Sequence, residues 1–185
     1  MGNASLNTGM KLCFHFITAA TRLHNLGRLA DELNRLAWTH EVHWHLRFDP
    51  HHKAIGGHPI KNQIIDQITY DHCNWLMILD DDTLPHPDLL DVAQEEITKH
   101  PGIQAIVVSQ EREDGTVLHA RPEEVLPDHI DAGQALLRRS FVADKRLALP
   151  YNGDGIFLTN LLTFAPGVLY IDRVLSYHNR LIYSP

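Results

Sequence analysis

Apolar segments of strand length alternate with segments of helical periodicity over the first hundred residues, and this alternation limits the possible folds most strongly. Three short segments have the composition of buried strands: KLCFHFIT at 11–18, EVHWHLRF at 41–48 and WLMIL at 75–79. Each precedes a stretch in which apolar residues recur at helical spacing, at 26–37, 60–68 and 89–97. Asn25 is the predicted N-cap of the first helix, and Pro87 fits the first turn of the third. A repeated strand–helix unit predicts a parallel sheet covered by helices.

The second half of the chain has a different pattern. Asp114-Gly115 separates two strand-like segments, IQAIVVS and TVLHA, and predicts a hairpin with a two-residue turn. Further elements are predicted as a strand at 131–138, a helix at 154–164 and a last strand at 168–175. The whole chain is therefore predicted to be one α/β domain in which a mixed sheet follows a parallel one.

Charge and composition exclude several classes of partner. The net charge is −7 and no basic run exceeds the two residues of Arg138-Arg139, which argues against nucleic acid or an anionic membrane surface as the main partner. No window approaches the roughly 18 apolar residues of a membrane span, and the first residues lack the apolar core of a signal peptide. Cys13 and Cys73 lie in apolar stretches and are predicted to be reduced core thiols, with a single disulfide as the alternative. These features together favour a cytoplasmic protein.

Three consecutive aspartates follow the third predicted strand in WLMILDDDT. Ligands of open parallel sheets bind at the carboxyl ends of the strands, which is where Asp80, Asp81 and Asp82 are expected to lie. Mg²⁺ and Mn²⁺ prefer oxygen ligands and often bind through one or two carboxylates together with substrate phosphates. A bound cation would also offset the repulsion between adjacent carboxylates. The triplet therefore predicts a divalent-cation site, with a solvated turn as the alternative.

Three other classes of phosphate-binding protein fit the residues poorly. A Walker B strand requires a GxxxxGK[ST] loop, which the sequence lacks. The DxDxT motif of haloacid dehalogenases requires threonine at the position of Leu84. A sugar-phosphate nucleotidylyltransferase is expected to carry a glycine-rich basic loop where this chain has ITAATR. A glycosyltransferase DxD motif fits the triplet better than any of these.

Seven segments, in order, resemble motifs of the β-1,3-glucuronyltransferase group, which belongs with related inverting glycosyltransferases of the GT-A fold. They are FITAATR, VHWHLRFD, PIKNQIID, ILDDDT, HIDAGQAL, GDGIFLTNL and VLSYHNRL. The resemblance implies a single GT-A domain over 1–185, with a Rossmann-like mixed sheet flanked by helices. It implies a nucleotide-binding half at 10–100 and an acceptor and catalytic half at 101–185.

The resemblance also implies a reaction. The expected activity is metal-dependent, inverting transfer of a sugar, with Mn²⁺ or Mg²⁺ as the cofactor. The expected donor is a nucleotide-sugar, namely a UDP-sugar, and the acceptor is a hydroxyl of an unspecified sugar, glycan or lipid. The residues do not specify glucuronate as the transferred sugar, because the stacking tyrosine of the first loop in this group has no clear counterpart in ITAATR.

The resemblance assigns the chemistry to five residues. Asp82 is expected to coordinate the metal that bridges the donor diphosphate, while Asp80 and Asp81 face the ribose and uracil. His178 is expected to contact the diphosphate or to complete the metal shell. Asp154 is the candidate general base, which would take the proton of the acceptor hydroxyl. An aspartate before an apolar helix is also a common N-cap, and a single residue can serve both roles.

Five further residues are expected to contact the donor. Thr18 begins the nucleotide loop, Asp49 reads the base, and Lys61 stands where the resembled group carries arginine. Asp131 is expected to face the transferred sugar, and Gly133 to leave room for it. Two other glycines, Gly153 and Gly155, are expected to permit close approach of donor or acceptor.

Two functional alternatives and one structural alternative stay open. The chain could bind a nucleotide-sugar without catalysis, or could be a metal-dependent phosphohydrolase or nucleotidyltransferase that uses the same carboxylates. A zinc cluster among the histidines is the structural alternative, formed by His40, His43, His45, His51 and His52. We favour ordinary strand alternation there, because His43 and His45 alternate with Trp44 and Leu46.

Overall fold

The computed structural model describes residues 12–49, 56–68 and 72–179 and shows an α/β protein. The strands are β1 Cys13–Ala20, β2 Glu41–Phe48, β3 Trp75–Ile78, β4 Leu84–Pro85, β5 Ala105–Glu111, β6 Val117–Leu118, β7 Ala135–Arg138 and β8 Val168–Tyr177. The helices are α1 Leu26–Leu36, α2 His58–Gln67, α3 Leu89–Lys99, α4 Arg139–Val142 and α5 Gly153–Leu162. In the described part of the chain, no helix is long and apolar enough to cross a membrane.

The strands form one mixed sheet in the order β2-β1-β3-β7-β5-β8-β4, with β6 paired to β5. β1 is parallel to both β2 and β3, as the strand–helix alternation predicts. β7 is antiparallel to β3 and β5, and β8 is parallel to β5. The ends of β1, β2, β3, β5 and β8 therefore meet the start of β7 at one edge of the sheet. The predicted fold class, a mixed sheet flanked by helices, is confirmed.

Two hydrophobic cores cover the two faces of the sheet. β1 is buried along its whole length, so its alternate side chains enter both cores. Phe14 and Phe16 pack in the core that holds Leu29 of α1 and apolar residues of α3. Ile17 packs in the other core, with Ile64 of α2 and apolar residues of α5. Burial on both sides explains why the strand reads as a continuous apolar run in the sequence.

The first helix does not start as predicted. A 3₁₀ turn at Leu23–Asn25 precedes α1, and Asn25 has helical dihedrals, with φ −80° and ψ −22°. The Asn25 side chain makes no capping hydrogen bond, so the predicted N-cap role is wrong. An N-cap needs non-helical dihedrals to place its side chain over the first free amides, and the 3₁₀ turn removes that geometry.

The elements predicted for the second half differ from the structure mainly at their ends, and the short helix α4 was not predicted. The segment predicted as a strand from Asp131 begins with a 3₁₀ turn at Ala132–Gln134, and β7 follows it. The hairpin between β5 and β6 has a longer loop than the predicted two-residue turn. The Arg112 amide donates to the Thr116 carbonyl, so the loop lies between these two residues. Gly115 closes this loop at φ +82°, a conformation that favours glycine.

Cys13 and Cys73 form a disulfide between the start of β1 and the segment before β3. The prediction of two reduced thiols is therefore wrong for this structure. β1 and β3 are paired parallel strands, with Phe14 opposite Trp75, so the two cysteines come side by side. Their Cα atoms are 4.6 Å apart, within the usual range for a disulfide. The expectation of a reducing, cytoplasmic location loses one of its supports.

Candidate functional site

A cleft of about 620 Å³ opens at the edge of the sheet where the strand ends meet. Six residues predicted for the site line it: Asp80, Asp81, Asp82, Asp131, Asp154 and His178. They come from four separate segments of the chain, which the mixed topology places at one edge. The volume is typical of a small-ligand site, and the lining carries an excess of carboxylates.

Lys61 is buried behind the cleft and forms an ion pair with Asp80, which is partly exposed and lines the cleft. Its Nζ donates to Asp80 Oδ1, and the Lys61 residue is only 1% exposed. Burial opposes the charge on Lys61, but the attraction of Asp80, Asp154 and Asp131 outweighs it and raises the Lys61 pKa. Burial likewise opposes the charge on Asp80, yet Lys61 keeps the Asp80 pKa below its usual value. Lys61 therefore keeps Asp80 ionised. Asp80 lines the cleft, whereas Lys61 lies behind it.

Asp81 anchors the loop that follows β1. Its Oδ2 accepts from the backbone amides of Thr21 and Arg22, each at 2.6 Å, and from the Thr21 hydroxyl at 3.0 Å. Its Oδ1 accepts from the Arg22 guanidinium at 2.6 Å. Charge-assisted bonds to backbone amides are among the stronger hydrogen bonds in proteins. Asp81 therefore positions the loop and its arginine against the triplet.

Asp82 retains one oxygen that the protein does not use. Its Oδ2 accepts from Arg22 at 2.5 Å, whereas its buried Oδ1 has no hydrogen-bond partner among the residues described. Burial and the neighbouring charge of Asp80 raise the pKa of Asp82 to about 6, against the attraction of Arg22 and His178. Buried polar atoms are almost always satisfied, so an oxygen left open at a cleft is the expected mark of a ligand position.

His178 follows β8 and faces Asp131 across the cleft. The His178 backbone amide donates to the Glu111 carbonyl at 2.8 Å, which ties its position to the end of β5. Its Nδ1 lies 3.8 Å from Asp131 Oδ2 and is buried without a hydrogen-bond partner in the described ranges. Asp131 uses its Oδ1 to accept from the Gly133 amide and from Gln110. The cleft therefore contains an open nitrogen as well as an open oxygen.

Asp154 lies in the first turn of α5 and points into the cleft. Its Oδ2 accepts from the Ala132 amide at 3.3 Å, while Asn152 holds the N-cap position of the helix. Burial raises the pKa of Asp154 to about 6, and the charges of Asp131 and Asp80 add to this against the attraction of Lys61. A carboxylate with a raised pKa is a stronger base, which suits it to proton transfer near neutral pH.

The three predicted glycines are explained by packing rather than by room for a ligand. A Cβ at Gly133 would lie 2.7 Å from Gln110 Nε2 and 2.8 Å from Thr83 Cγ2. A Cβ at Gly153 would lie 2.1 Å from the Ala148 carbonyl oxygen. A Cβ at Gly155 would lie 1.9 Å from the Pro127 carbonyl oxygen. The expectation that these glycines leave space for sugar or acceptor is wrong, because protein atoms already fill the space.

Gly155→Ala is therefore expected to destabilise the fold. The added methyl meets backbone rather than a flexible side chain, so α5 must shift, at a cost of about 1–3 kcal/mol. Gly27→Ala in α1 is the matched control, because nothing lies within 4 Å of its Cβ position. That change should stabilise the helix by about 0.5–1 kcal/mol. Urea unfolding of both variants measures the difference, and equal unfolding midpoints would contradict the packing explanation.

Like Lys61 and Gly133, two other predicted donor contacts do not line the cleft. Thr18 lies inside β1, where its Oγ1 accepts from the Trp44 indole at 3.0 Å. The prediction that the loop begins there is wrong, because β1 continues to Ala20 and the loop begins at Thr21. Asp49 follows β2, is buried, and donates its amide to the Ala20 carbonyl at 2.8 Å. Its contact with a base stays a prediction.

Several cleft residues were missed by the sequence reasoning. Arg22 and Arg112 bring guanidinium groups to the cleft, and Tyr151 and Asn152 form its rim before α5. Arg22 ends the ITAATR segment, so its position in the predicted nucleotide loop could have identified it as a site residue. His58 at the start of α2 donates its Nδ1 proton to the Ala148 carbonyl at 2.8 Å. Burial and the charge of Lys61 lower the pKa of His58, which keeps it neutral.

The other histidines do not gather as one cluster in the described residues. His40 contacts Asp91 through Nε2 at 2.8 Å on the α3 side. His45 contacts His15 at 2.8 Å on the other face of the edge strands. His51 and His52 lie outside the described residues. The alternation predicted for β2 therefore holds for His43 and His45, and His40 is directed elsewhere.

Comparison with known proteins gives structural relatives only. The sequence matches no protein-family model and no curated protein sequence. S. aureus TarS is similar over 91% of this chain and 60% of its own, with TM-score 0.59 and 13% identity. A glycosyltransferase involved in glycosylation of the major capsid of PBCV-1 is similar over 90% of this chain and 94% of its own, with TM-score 0.53 and 13% identity.

A third structure is a mutant of Drosophila β1,4-galactosyltransferase 7 in complex with manganese, UDP-Gal and xylobiose. It is similar over 92% of this chain and 68% of its own, with TM-score 0.52 and 14% identity. The chain thus spans 60% of the TarS structure and about two thirds of the galactosyltransferase structure. At these identities the likeness defines the fold. The chain has a GT-A-like glycosyltransferase fold.

Proposed function

We propose that this protein is a metal-dependent, inverting glycosyltransferase that moves a sugar from a UDP-sugar to an acceptor hydroxyl. One observation carries the proposal. Asp82 Oδ1 and His178 Nδ1 are both buried, both lack a hydrogen-bond partner in the described part of the chain, and both residues line the same cleft. Two buried polar atoms without such partners fit a site at which a bound ligand completes their contacts.

The open oxygen of Asp82 and the open nitrogen of His178 suit Mn²⁺ or Mg²⁺ as metal ligands. A carboxylate oxygen and an imidazole nitrogen are suitable ligands for Mn²⁺, while Mg²⁺ favours oxygen and retains water. Asp82 and His178 would hold the cation. Arg22 occupies only the other oxygen of Asp82, so the open oxygen is available without breaking that ion pair. When bound, a divalent cation supplies positive charge that neutralises the leaving diphosphate.

The donor diphosphate fits the basic side of the cleft. Arg22 and Arg112 both line it, and guanidinium groups match the geometry of phosphate oxygens. Asp80 and Asp81 would lie toward the ribose and uracil. Asp81 has both oxygens engaged by Thr21 and Arg22, so its effect on the donor would run through that loop. The UDP-Gal in the Drosophila galactosyltransferase structure supports a uridine donor here.

Asp154 would act as the general base. In inverting transfer, a carboxylate takes the acceptor hydroxyl proton as that oxygen attacks the anomeric carbon opposite the leaving diphosphate. The raised pKa of Asp154 makes it a competent base, and the Ala132 amide fixes its orientation. Arg22, Arg112 and His178 stabilise the negative charge that develops on the diphosphate. Tyr151 and Asn152, beside Asp154 on the rim, would receive a sugar, glycan or lipid acceptor.

Thermal unfolding with UDP, GDP and CDP, each with and without Mn²⁺, tests the donor site. We expect UDP with Mn²⁺ to raise the Tm of the wild type by about 5–10 °C at roughly 100 times Kd. UDP alone should give a smaller shift, because a cation held by Asp82 and His178 would supply positive charge to the diphosphate. In Asp82→Ala the Mn²⁺-dependent part should be lost, while Asp31→Ala on the exposed side of α1 should respond like the wild type.

Each outcome of this experiment decides something specific. Stabilisation by none of the nucleotides, with or without Mn²⁺, would contradict a donor site in this cleft. An equal Mn²⁺-dependent shift in Asp82→Ala would contradict the metal assignment alone. Cleavage of nucleoside triphosphate in the absence of any sugar acceptor would favour a phosphohydrolase or nucleotidyltransferase instead.

A further inference from the structure

We propose that reduction of the Cys13–Cys73 disulfide creates a zinc site formed by Cys13, Cys73, His43 and Glu41. The site lies where β1 and β2 begin, at the edge of the sheet opposite the cleft. β1 is eight residues long, which separates the two edges by roughly 25 Å. The inference is therefore independent of the proposed glycosyl transfer.

Strand pairing brings the four residues together. Cys13 lies opposite Glu41 in the parallel pair of β1 and β2, and the disulfide holds Cys73 beside Cys13. The sulfurs of Cys13 and Cys73 and a ring nitrogen of His43 all lie within 4.8 Å of one another. A carboxylate oxygen of Glu41 lies within the same distance of the Cys13 sulfur. Glu41 Oε1 also lies 3.0 Å from His43 Nε2, which closes the set.

A tetrahedral zinc ion fits after a small rearrangement of the side chains. With Zn–S bonds of about 2.3 Å, two sulfurs of a tetrahedral site are about 3.8 Å apart. The sulfurs of Cys13 and Cys73, now bonded to each other, would separate to this distance on reduction. The His43 nitrogen and the Glu41 oxygen, up to 4.8 Å from the Cys13 sulfur, would move inward by about 1 Å. His43 and Glu41 can make this movement, because their side chains are 43% and 42% exposed. Their exposure also gives the ion a path from solvent.

A further contact would orient the ligands. His72 Nε2 lies 2.9 Å from the same Glu41 oxygen that contacts His43. Hydrogen bonds between carboxylates and imidazoles fix the orientation of metal ligands in many sites. The cysteines are buried while the polar residues face solvent, an arrangement that shields the sulfurs and leaves the ion accessible. A disulfide needs only the two sulfurs, so it gives no reason for these polar groups to converge.

The disulfide is converted to the zinc site in two steps, reduction and then metal binding. A dithiol reductant transfers two electrons to the Cys13–Cys73 bond, which becomes two thiols while the reductant becomes a disulfide. Binding of Zn²⁺ then displaces the two thiol protons, giving two thiolate ligands. In the oxidised chain the sulfurs are bonded to each other and carry no charge, so zinc binding at this site is lost. The site is thus controlled by the thiol state of the chain.

Cobalt binding tests the proposal, because cobalt bound to thiolates has a charge-transfer absorption that oxygen and nitrogen ligands do not give. The full chain is reduced with dithiothreitol in mild denaturant, refolded and desalted without oxygen, and its free thiols are counted. We expect the reduced chain to show this absorption with Co²⁺ and to lose it when Zn²⁺ is added. The oxidised chain should show none, even if Co²⁺ binds at Asp82.

Two variants make the test specific. His43→Ala should weaken Zn²⁺ binding to the reduced chain by at least about 10-fold. His24→Ala, another exposed histidine but at the cleft edge of the sheet, should bind Zn²⁺ like the wild type. Absence of the charge-transfer absorption in the reduced chain, failure of the thiol form to refold with Zn²⁺ present, or unchanged affinity in His43→Ala would each overturn the proposal.

Discussion

Asp154→Asn is expected to lower the rate of sugar transfer by about 10²- to 10⁴-fold while leaving donor binding intact. Asparagine keeps the shape of the side chain and can still accept from the Ala132 amide, but it cannot take a proton. Because the donor side of the cleft is unchanged, the Tm shift with UDP and Mn²⁺ should persist. Turnover with a UDP-sugar and acceptor, measured beside that shift, separates catalysis from binding.

The same residue sets a pH dependence. A general base acts in its ionised form, so kcat/KM should rise with pH up to about 6, the raised pKa of Asp154, and level off above it. Stability has the opposite dependence. Because folding raises the Asp154 pKa from 3.8 to about 6, its contribution to stability is present at low pH and is lost as pH rises through that interval.

Asp154→Asn should therefore be more stable than the wild type at neutral pH, by about 1–2 kcal/mol. Removal of its charge relieves both the cost of burial and the repulsion from Asp131 and Asp80. Asp31→Asn, at an exposed position, is the control for loss of an aspartate and should alter neither activity nor stability appreciably. Full activity in Asp154→Asn would show that this carboxylate is not the base. Donor binding without transfer in the wild type as well as in the variant would favour a binding protein.

Lys61→Met is expected to destabilise the fold by about 3–5 kcal/mol, the largest effect on stability predicted here. The variant leaves the Asp80 carboxylate, whose side chain is only 29% exposed, without its partner and close to Asp131 and Asp154, whose charges Lys61 also offsets. Methionine retains most of the side-chain volume, so the loss measures charge rather than packing. The free energy of unfolding in urea is the measurement.

Two comparisons make the Lys61 result interpretable. Lys99→Met removes a lysine that pairs with Glu95 and Glu96 on the exposed face of α3, where solvent screening leaves such pairs little effect on stability. Adding Asp80→Asn to Lys61→Met should restore part of the lost stability, because it removes the unpaired charge. A loss in Lys61→Met no greater than in Lys99→Met would show that the buried pair does not support the triplet.

Much of the fold was predictable from local patterns. Strand–helix alternation predicted β1, β2 and β3 and the helices between them, because burial on one or both faces leaves a direct trace in the sequence. The ends of elements were less predictable. Asn25 reads as an N-cap until a preceding 3₁₀ turn is seen, and the hairpin at Asp114-Gly115 has a longer loop than the dipeptide suggests.

The sequence predicted which residues belong to the candidate site better than it predicted the contacts that they make. Six of the predicted residues line one cleft. Five of them follow or precede strands whose ends meet at one edge of the sheet, and Asp154 lies at the start of α5. Arg112 gave no signal, since a single arginine in a turn resembles any surface residue. The glycines at 153 and 155 were interpreted as ligand space, because the sequence does not show that the carbonyls of Ala148 and Pro127 occupy it.

The sequence by itself determined which residues are strands, where the aspartate triplet falls, and which segments could carry a donor site. These properties depend on neighbours within a few residues, and periodicity reports them. Only the tertiary structure decided that Lys61 pairs with Asp80, that Asp81 holds the loop at Thr21, and that Cys13 meets Cys73. Burial, pairing and pKa depend on atoms brought together across long stretches of chain, and no local pattern records which of them will meet.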